Sequence, residues 1–260
     1  MTKTLKLWPL LTATHRYDKS LSTRNRDAGK IIEAPILAYL IETSQGRILF
    51  DVGCDYTKIS SPQLAASYYN PQTFQFGAPD MVEEQRLPHH FARLGLTSAD
   101  IDVVFLSHLH FDHAGGLCDV CSTEVHVQQG ELDAANAGDD TAYFADEVVA
   151  KSNWKVIQGE YELVPGVRAI SSPGHTAGHM SLWVELPHGA PIILAGDAAD
   201  LQENISDEIA PGICWRDSEV QAVESIRKLK RLAKQETAQL WPNHDMAFWR
   251  TLKQAPAFYA

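Results

Sequence analysis

The chain has 260 residues, 45% of them hydrophobic and 21% charged, the composition of a soluble globular protein long enough to bury a core without staples. Its net charge of −11 opposes nonspecific binding to nucleic acid and to anionic membranes, and no stretch approaches the ~20 apolar residues of a membrane span. Cys54, Cys118, Cys121 and Cys214 do not make a disulfide scaffold at this length. The Cys118-Asp-Val-Cys121 pair reads as reduced thiols, and the amino-terminal apolar run is too short and interrupted for a signal peptide, so a cytoplasmic protein is expected.

In chain order, Leu5–Leu11 reads as a first strand and Thr12–Lys30, with His15 and Tyr17, as a polar loop. Pro35–Glu42 and Arg47–Asp51 are apolar β-rich runs separated by the hairpin signal Thr43-Ser-Gln-Gly46. Asp51 is either an ordinary turn residue or a carboxylate that orients a ligand histidine. Prolines break the periodicity of Cys54–Met81, which is expected to be a long aromatic loop acting as a lid, a substrate wall or a homodimer contact. A helix is predicted over Leu87–Leu94, with Leu87, Phe91 and Leu94 on its apolar face and His89 and His90 at the surface. Ile101–Leu106 reads as a buried strand, and Thr123–Gln128 as another in which His126 is a satisfied structural histidine.

Helical or loop material is expected over Gly130–Ser152. Strands follow at Trp154–Ile157, Val167–Ile170, Met180–Leu186 and Pro191–Ala195. Ser218-Glu-Val-Gln221 reads as a capping box opening a helix whose buried stripe is Val220, Val223, Ile226, Leu229 and Ala233. A short strand, Gln239–Pro242, leads to Asn243-His244-Asp245. Strands in both halves, helices between them and no low-complexity linker favour one layered α/β domain over residues 1–260, with two packed sheets. No glycine-rich nucleotide motif is present.

The chemistry concentrates in Ser107-His-Leu-His-Phe-Asp-His-Ala-Gly-Gly116, which places three imidazoles and one carboxylate within six residues after a strand. His108 and His110 point the same way on an extended backbone, whereas the adjacent Asp112 and His113 suit a second metal beside the first. One loop cannot close two metal sites. His175 in Ser172-Pro-Gly-His-Thr-Ala-Gly-His179, Asp197 after Ile192–Gly196, and His244 after Trp241-Pro-Asn243 have the right chemistry. Each alone has an ordinary reading; together they follow the first motif in order, each at a strand's end.

These residues resemble the metallo-β-lactamase superfamily. The resemblance implies a four-layer αββα sandwich with a dinuclear site at its edge. One metal would take His108, His110 and His175, the other Asp112, His113 and His244, with Asp197 bridging. It assigns Asp51 to orienting a ligand and His179 to structure. True β-lactamases generally lack this combination, flavodiiron oxygen reductases carry glutamate at the place of His110, and the nucleases of the group need a basic surface. Glyoxalase II enzymes add a basic C-terminal helical region.

Ser107–Gly116 with its Phe111, Leu163-Val-Pro-Gly-Val167, Ser172–His179 and the Ile226–Leu232 helix resemble the N-acyl homoserine lactonases. This implies opening of a small-molecule lactone by attack of a metal-bridging hydroxide on the carbonyl, with Asp112 shuttling the proton. The implied cofactor is two divalent ions, zinc first, with iron or manganese as alternatives. Those lactonases often carry a tyrosine three residues after the bridging aspartate; Asp200 stands there, and it cannot donate a hydrogen bond unless protonated. The alternatives are a hydrolase of another lactone or ester, such as pyridoxolactone or an aryl ester, and a non-hydrolytic iron-binding redox or sensor protein.

Overall fold

The computed structural model describes residues 4–120, 123–138, 140–149 and 153–260. Its strands sort into two mixed sheets. The first holds β1 (Thr4–Asp18), β2 (Ile31–Thr43), β3 (Gly46–Phe50), β4 (Val103–Phe105), β5 (Glu124–Gln128) and β6 (Trp154–Ile157), neighbours in that order. The second holds β7 (Tyr161–Val164), β8 (Val167–Ser171), β9 (Met180–Val184), β10 (Ile192–Leu194) and β11 (Gln239–Trp241), again neighbours in sequence order.

Successive side chains on a strand face opposite ways, and here each face has its own core. Tyr39, Ile41, Ile48, Phe50 and Phe105 meet Val167, Leu182, Val184, Ile192 and Leu194 between the sheets. Leu40, Leu49, Val104 and Val125 turn outward, where Leu87 and Phe91 of α2 (Leu87–Arg93) and Ala134 of α4 (Gln129–Ala137) cover them. On the far side, Ile170, Trp183 and Ile193 pack under Ile205 of α6 (Gln202–Asp207) and Leu229 of α7 (Glu219–Glu236). Each Val, Leu, Ile or Phe among them contributes about 1.5–3 kcal/mol once fully buried. The layers run helix, sheet, sheet, helix, which is the expected αββα sandwich.

Strand direction decides where the polar residues emerge. β3 and β4 are parallel, and β8 and β10 both oppose β9, so β8, β10 and β11 share one direction. Asp51, His108, His175, Asp197 and His244 each lie just beyond the C-terminal end of one of these five strands. The metal loop is drawn tight against its neighbour. A Cβ on Gly116 would lie 2.0 Å from the Val52 carbonyl oxygen, so only glycine fits.

Several expectations need correction. β1 continues to Asp18 instead of ending at Leu11, because Ala13, His15 and Tyr17 pair with Ile36, Ala34 and Ile32 of β2 after a bulge. The aromatic loop contains α1 (Pro62–Tyr68) and an internal cluster in which Tyr69, Phe74 and Phe76 pack against Phe111. His89 is exposed, but His90 is buried, with Nε2 3.0 Å from the Leu11 carbonyl oxygen. His126 is satisfied as expected, by Tyr161 and Glu124.

Ser218 precedes α7 but makes no capping hydrogen bond, so the capping box does not form. Val220 is 76% exposed, and the buried face is instead Ala222, Ser225, Ile226 and Leu229. Strand β7 was not expected. Cys54, Cys118 and Cys214 are free thiols, whereas Cys121 lies outside the described residues. The expected Gly130–Ser152 segment contains α4 and α5 (Ala145–Val149), with 139 and 150–152 outside the described residues. Among the described residues, no helix is long and apolar enough to cross a membrane.

Candidate metal centre

The strand-end loops bring all seven expected ligand residues to one place. Three overlapping groups, His108/His110/His175, His108/His113/Asp197 and Asp112/His113/His244, each hold their donor atoms within 4.8 Å of one another. The histidines are buried, and Asp112 is the most open of the seven, its side chain 13% exposed.

Four of the five imidazoles are oriented through the nitrogen that faces away from the centre. His113 Nδ1 lies 2.9 Å from Asp51 Oδ2, and His244 Nδ1 2.8 Å from the Pro35 carbonyl oxygen. His175 Nδ1 lies 3.2 Å from the Ile213 carbonyl oxygen, and His108 Nδ1 2.9 Å from Ser107 Oγ. An Nδ1–H donated outward leaves the Nε2 lone pair facing in, the form that binds a metal. His110 is turned the other way. Its Nδ1 is 3.0 Å from His175 Nε2, while its Nε2 stands 3.3 Å from Asp140 Oδ2. The buried Nε2 atom of His108 has no hydrogen-bond partner among the described residues. Orphaned inward nitrogens are costly unless something binds them, and imidazole with carboxylate suits a divalent ion such as zinc, iron or manganese.

Asp197 stands between the two halves. Its Oδ1 is 3.2 Å from His113 Nε2 and 3.1 Å from His244 Nε2, and its Oδ2 is 3.5 Å from His175 Nε2. Asn243 donates to Oδ1 at 2.9 Å and steadies it. His179 is spent on structure, as expected: its Nε2 accepts the Asp197 N–H at 2.9 Å and its Nδ1 faces the Ser172 oxygens. Gly196, at φ +57°, makes room, since a Cβ there would sit 2.7 Å from His179 Nε2.

The electrostatics divide the cluster. Burial pushes His108 well below its ordinary pKa, and the neighbouring His113 and His110 add to this. Burial does the same to His175. Around His113 and His244 burial also pulls downward, but Asp197 and the other carboxylates win, holding His113 well above its ordinary value and His244 at about 10. Burial would raise Asp197, yet His113 and His244 hold it well below the usual carboxylate range. Asp197 and its neighbouring carboxylates thus gather around His113 and His244, a concentration of acidic groups that favours bound cations.

A cleft opens over these residues. Phe76, Phe111, Leu21 and Ile213 line it with Tyr17, Ser22, Asp112 and Asp200. A groove of about 590 Å³ adjoins it, sharing Phe76, His175 and Ile213. Asp51 accepts from Ser107 N–H and Oγ–H besides pairing with His113, so it serves orientation and not an ordinary turn. Asp140 and Asn243 were not expected at the site; their one sequence signal was position, in an acidic pair and beside His244.

Comparison with known proteins agrees with this geometry. The family described as the metallo-beta-lactamase superfamily matches residues 32–244. An N-acyl homoserine lactonase from Bacillus sp is 35% identical over 232 residues, 88% of this chain and 89% of the relative. The N-acyl homoserine lactonase AttM of Rhizobium radiobacter is 27% identical over 98% of this chain and 99% of its own. A solved N-acyl homoserine lactone hydrolase, with the product N-hexanoyl-L-homoserine at its catalytic metal center, superposes with a TM-score of 0.89 at 31% identity, covering 99% of this chain and 100% of that one. The chain therefore belongs to the metallo-beta-lactamase superfamily and, within it, to the N-acyl homoserine lactonase family.

Proposed function

We propose that this chain, acting as one domain over residues 1–260, is a dinuclear zinc lactonase that opens the ring of N-acyl homoserine lactones. The observation that carries it is the inward-facing set His108, His110, Asp112, His113, His175, Asp197 and His244 under a largely apolar cleft. His108, His110 and His175 would hold one ion, Asp112, His113 and His244 the other, and Asp197 both. Two such ions supply Lewis acidity toward a lactone carbonyl and a nucleophile from water at neutral pH.

The chain's own residues do the rest. Asp112 lines the cleft, with Oδ2 3.7 Å from His113 Nε2 and 3.8 Å from His244 Nε2, which supports a role for its carboxylate in carrying a proton to the departing ring oxygen. Phe76, Phe111, Leu21 and Ile213 offer an acyl chain an apolar wall that excludes water. The cleft's phenol comes from Tyr17 on β1, its hydroxyl 2.7 Å from Ser22 Oγ. The free thiols fit a reducing, cytoplasmic setting.

Asp200 favours a second substrate class. It is buried, lines the cleft and leaves Oδ1 without a hydrogen-bond partner among the described residues. Burial and then Asp197 push its carboxyl well above the usual carboxylate range. A polar aryl lactone such as pyridoxolactone would present a group to it that an acyl chain does not.

Incubation with N-hexanoyl homoserine lactone, followed by mass spectrometry, tests the reading. We expect a product heavier by one water that closes again to the lactone on acidification. Release of free hexanoic acid would show amide cleavage and sink the proposal. Turnover of pyridoxolactone alone would select the second class.

A further inference from the structure

Glu131, in the first turn of α4, has 0% exposure and no place in the ligand set. Its Oε1 accepts the Leu109 N–H at 3.0 Å and the Tyr143 hydroxyl at 2.9 Å. Its Oε2 accepts the Thr176 hydroxyl at 2.6 Å and the Gly178 N–H at 3.0 Å. Leu109 lies between His108 and His110, and Thr176 follows His175. The Tyr143 ring also packs against the His110 ring, with centroids 4.8 Å apart.

We infer that Glu131 is a positioning residue, a buried carboxylate that locks the two loops carrying His108, His110 and His175 at the spacing one metal ion requires. The inference rests on the ligand assignment proposed above. Its chemical basis is strict. A backbone N–H only donates, and one is aimed at each carboxylate oxygen, so both oxygens must accept. Glutamine keeps the size but has a single acceptor, and its NH2 would confront an N–H in one loop or the other. The His175 loop also touches α4 directly at this point. A Cβ on Gly178 would meet the Glu131 backbone nitrogen at 2.3 Å, so α4 sits on the His175 loop with no slack.

The test compares the zinc-loaded wild type with Glu131→Gln and Thr176→Val, by chelator competition and by melting with and without chelator. For Glu131→Gln we expect one of the two zinc ions to bind about 10- to 100-fold more weakly, the range seen when groups that orient ligands are removed. The rise in melting temperature produced by zinc should shrink accordingly, because ligand stabilisation follows affinity. Thr176→Val removes one donor and leaves the carboxylate, so about 3- to 10-fold weakening is expected; it decides the matter if Glu131→Gln does not fold. A melting temperature lowered equally with and without zinc, at unchanged affinity, would mean that Glu131 supports only the fold and would overturn the inference. A wild type that fails to hold two ions would instead overturn the ligand assignment.

Discussion

Asp197→Asn is expected to lower kcat/KM for lactone opening by about 10³-fold or more, a loss of about 4 kcal/mol at the transition state. Among the described residues, Asp197 is the one carboxylate whose oxygens approach His113, His244 and His175 together. Asparagine preserves its shape but removes the charge and one acceptor, so neither half of the centre keeps a shared anion. Steady-state rates with zinc analysis of the same sample check this. Metal content should fall together with activity. A variant with full zinc and wild-type rate would show that Asp197 does not join the two halves.

Asp51→Ala is expected to act on both stability and metal binding, although Asp51 touches no metal in the proposed assignment. Its carboxylate is 1% exposed and takes three hydrogen bonds, from Ser107 N–H, Ser107 Oγ–H and His113 Nδ1. Alanine would strand buried donors, each costing about 1–3 kcal/mol. A total near 3 kcal/mol would lower the melting temperature by roughly 6–12 °C in a chain of this size. With His113 free to turn, zinc affinity should drop by about 10- to 100-fold. The left-handed backbone at Asp51, φ 58°, does not rescue alanine, which tolerates that region less well than aspartate. Thermal melts and chelator competition read the two effects separately. An unchanged melt and unchanged affinity would contradict the orienting role.

The two histidine-bearing motifs and the strand-end aspartate were legible because spacing and strand termination are local signals. His108, His110, Asp112 and His113 sit in one run, and β4, β8, β10 and β11 announce themselves as apolar segments ending in a ligand. Family resemblance then supplied the grouping, which spacing alone did not.

What stayed hidden is set at long range. Glu131 looks like any acid on a polar helix until Leu109, 22 residues away, and Thr176, 45 residues away, close around it. Asp140 acquires meaning only when His110 turns its Nε2 outward, and beside that imidazole its pKa is held at about 2 although burial works against this. The last turns of β1 read as polar loop because His15 and Tyr17 face the cleft, where a strand serves chemistry and not the core. His90 is buried for a simpler reason: it lies three residues beyond Leu87 on α2, on the inward face, and satisfies its Nε2 at the Leu11 carbonyl. On α7 the buried face begins at Ala222 instead of Val220, and Ala222 meets the loop at Gly174, where an added Cβ would lie 2.4 Å from Ala222 Cα.

The most direct measurement of the central claim is a titration of the chelated protein with zinc, following lactone opening and bound metal in the same samples. Activity should rise with loading and reach its plateau at two zinc ions per chain if, as proposed, His108, His110 and His175 hold one, Asp112, His113 and His244 the other, and Asp197 both. Full lactonase activity with no metal bound, or a plateau at a single ion, would contradict the dinuclear account.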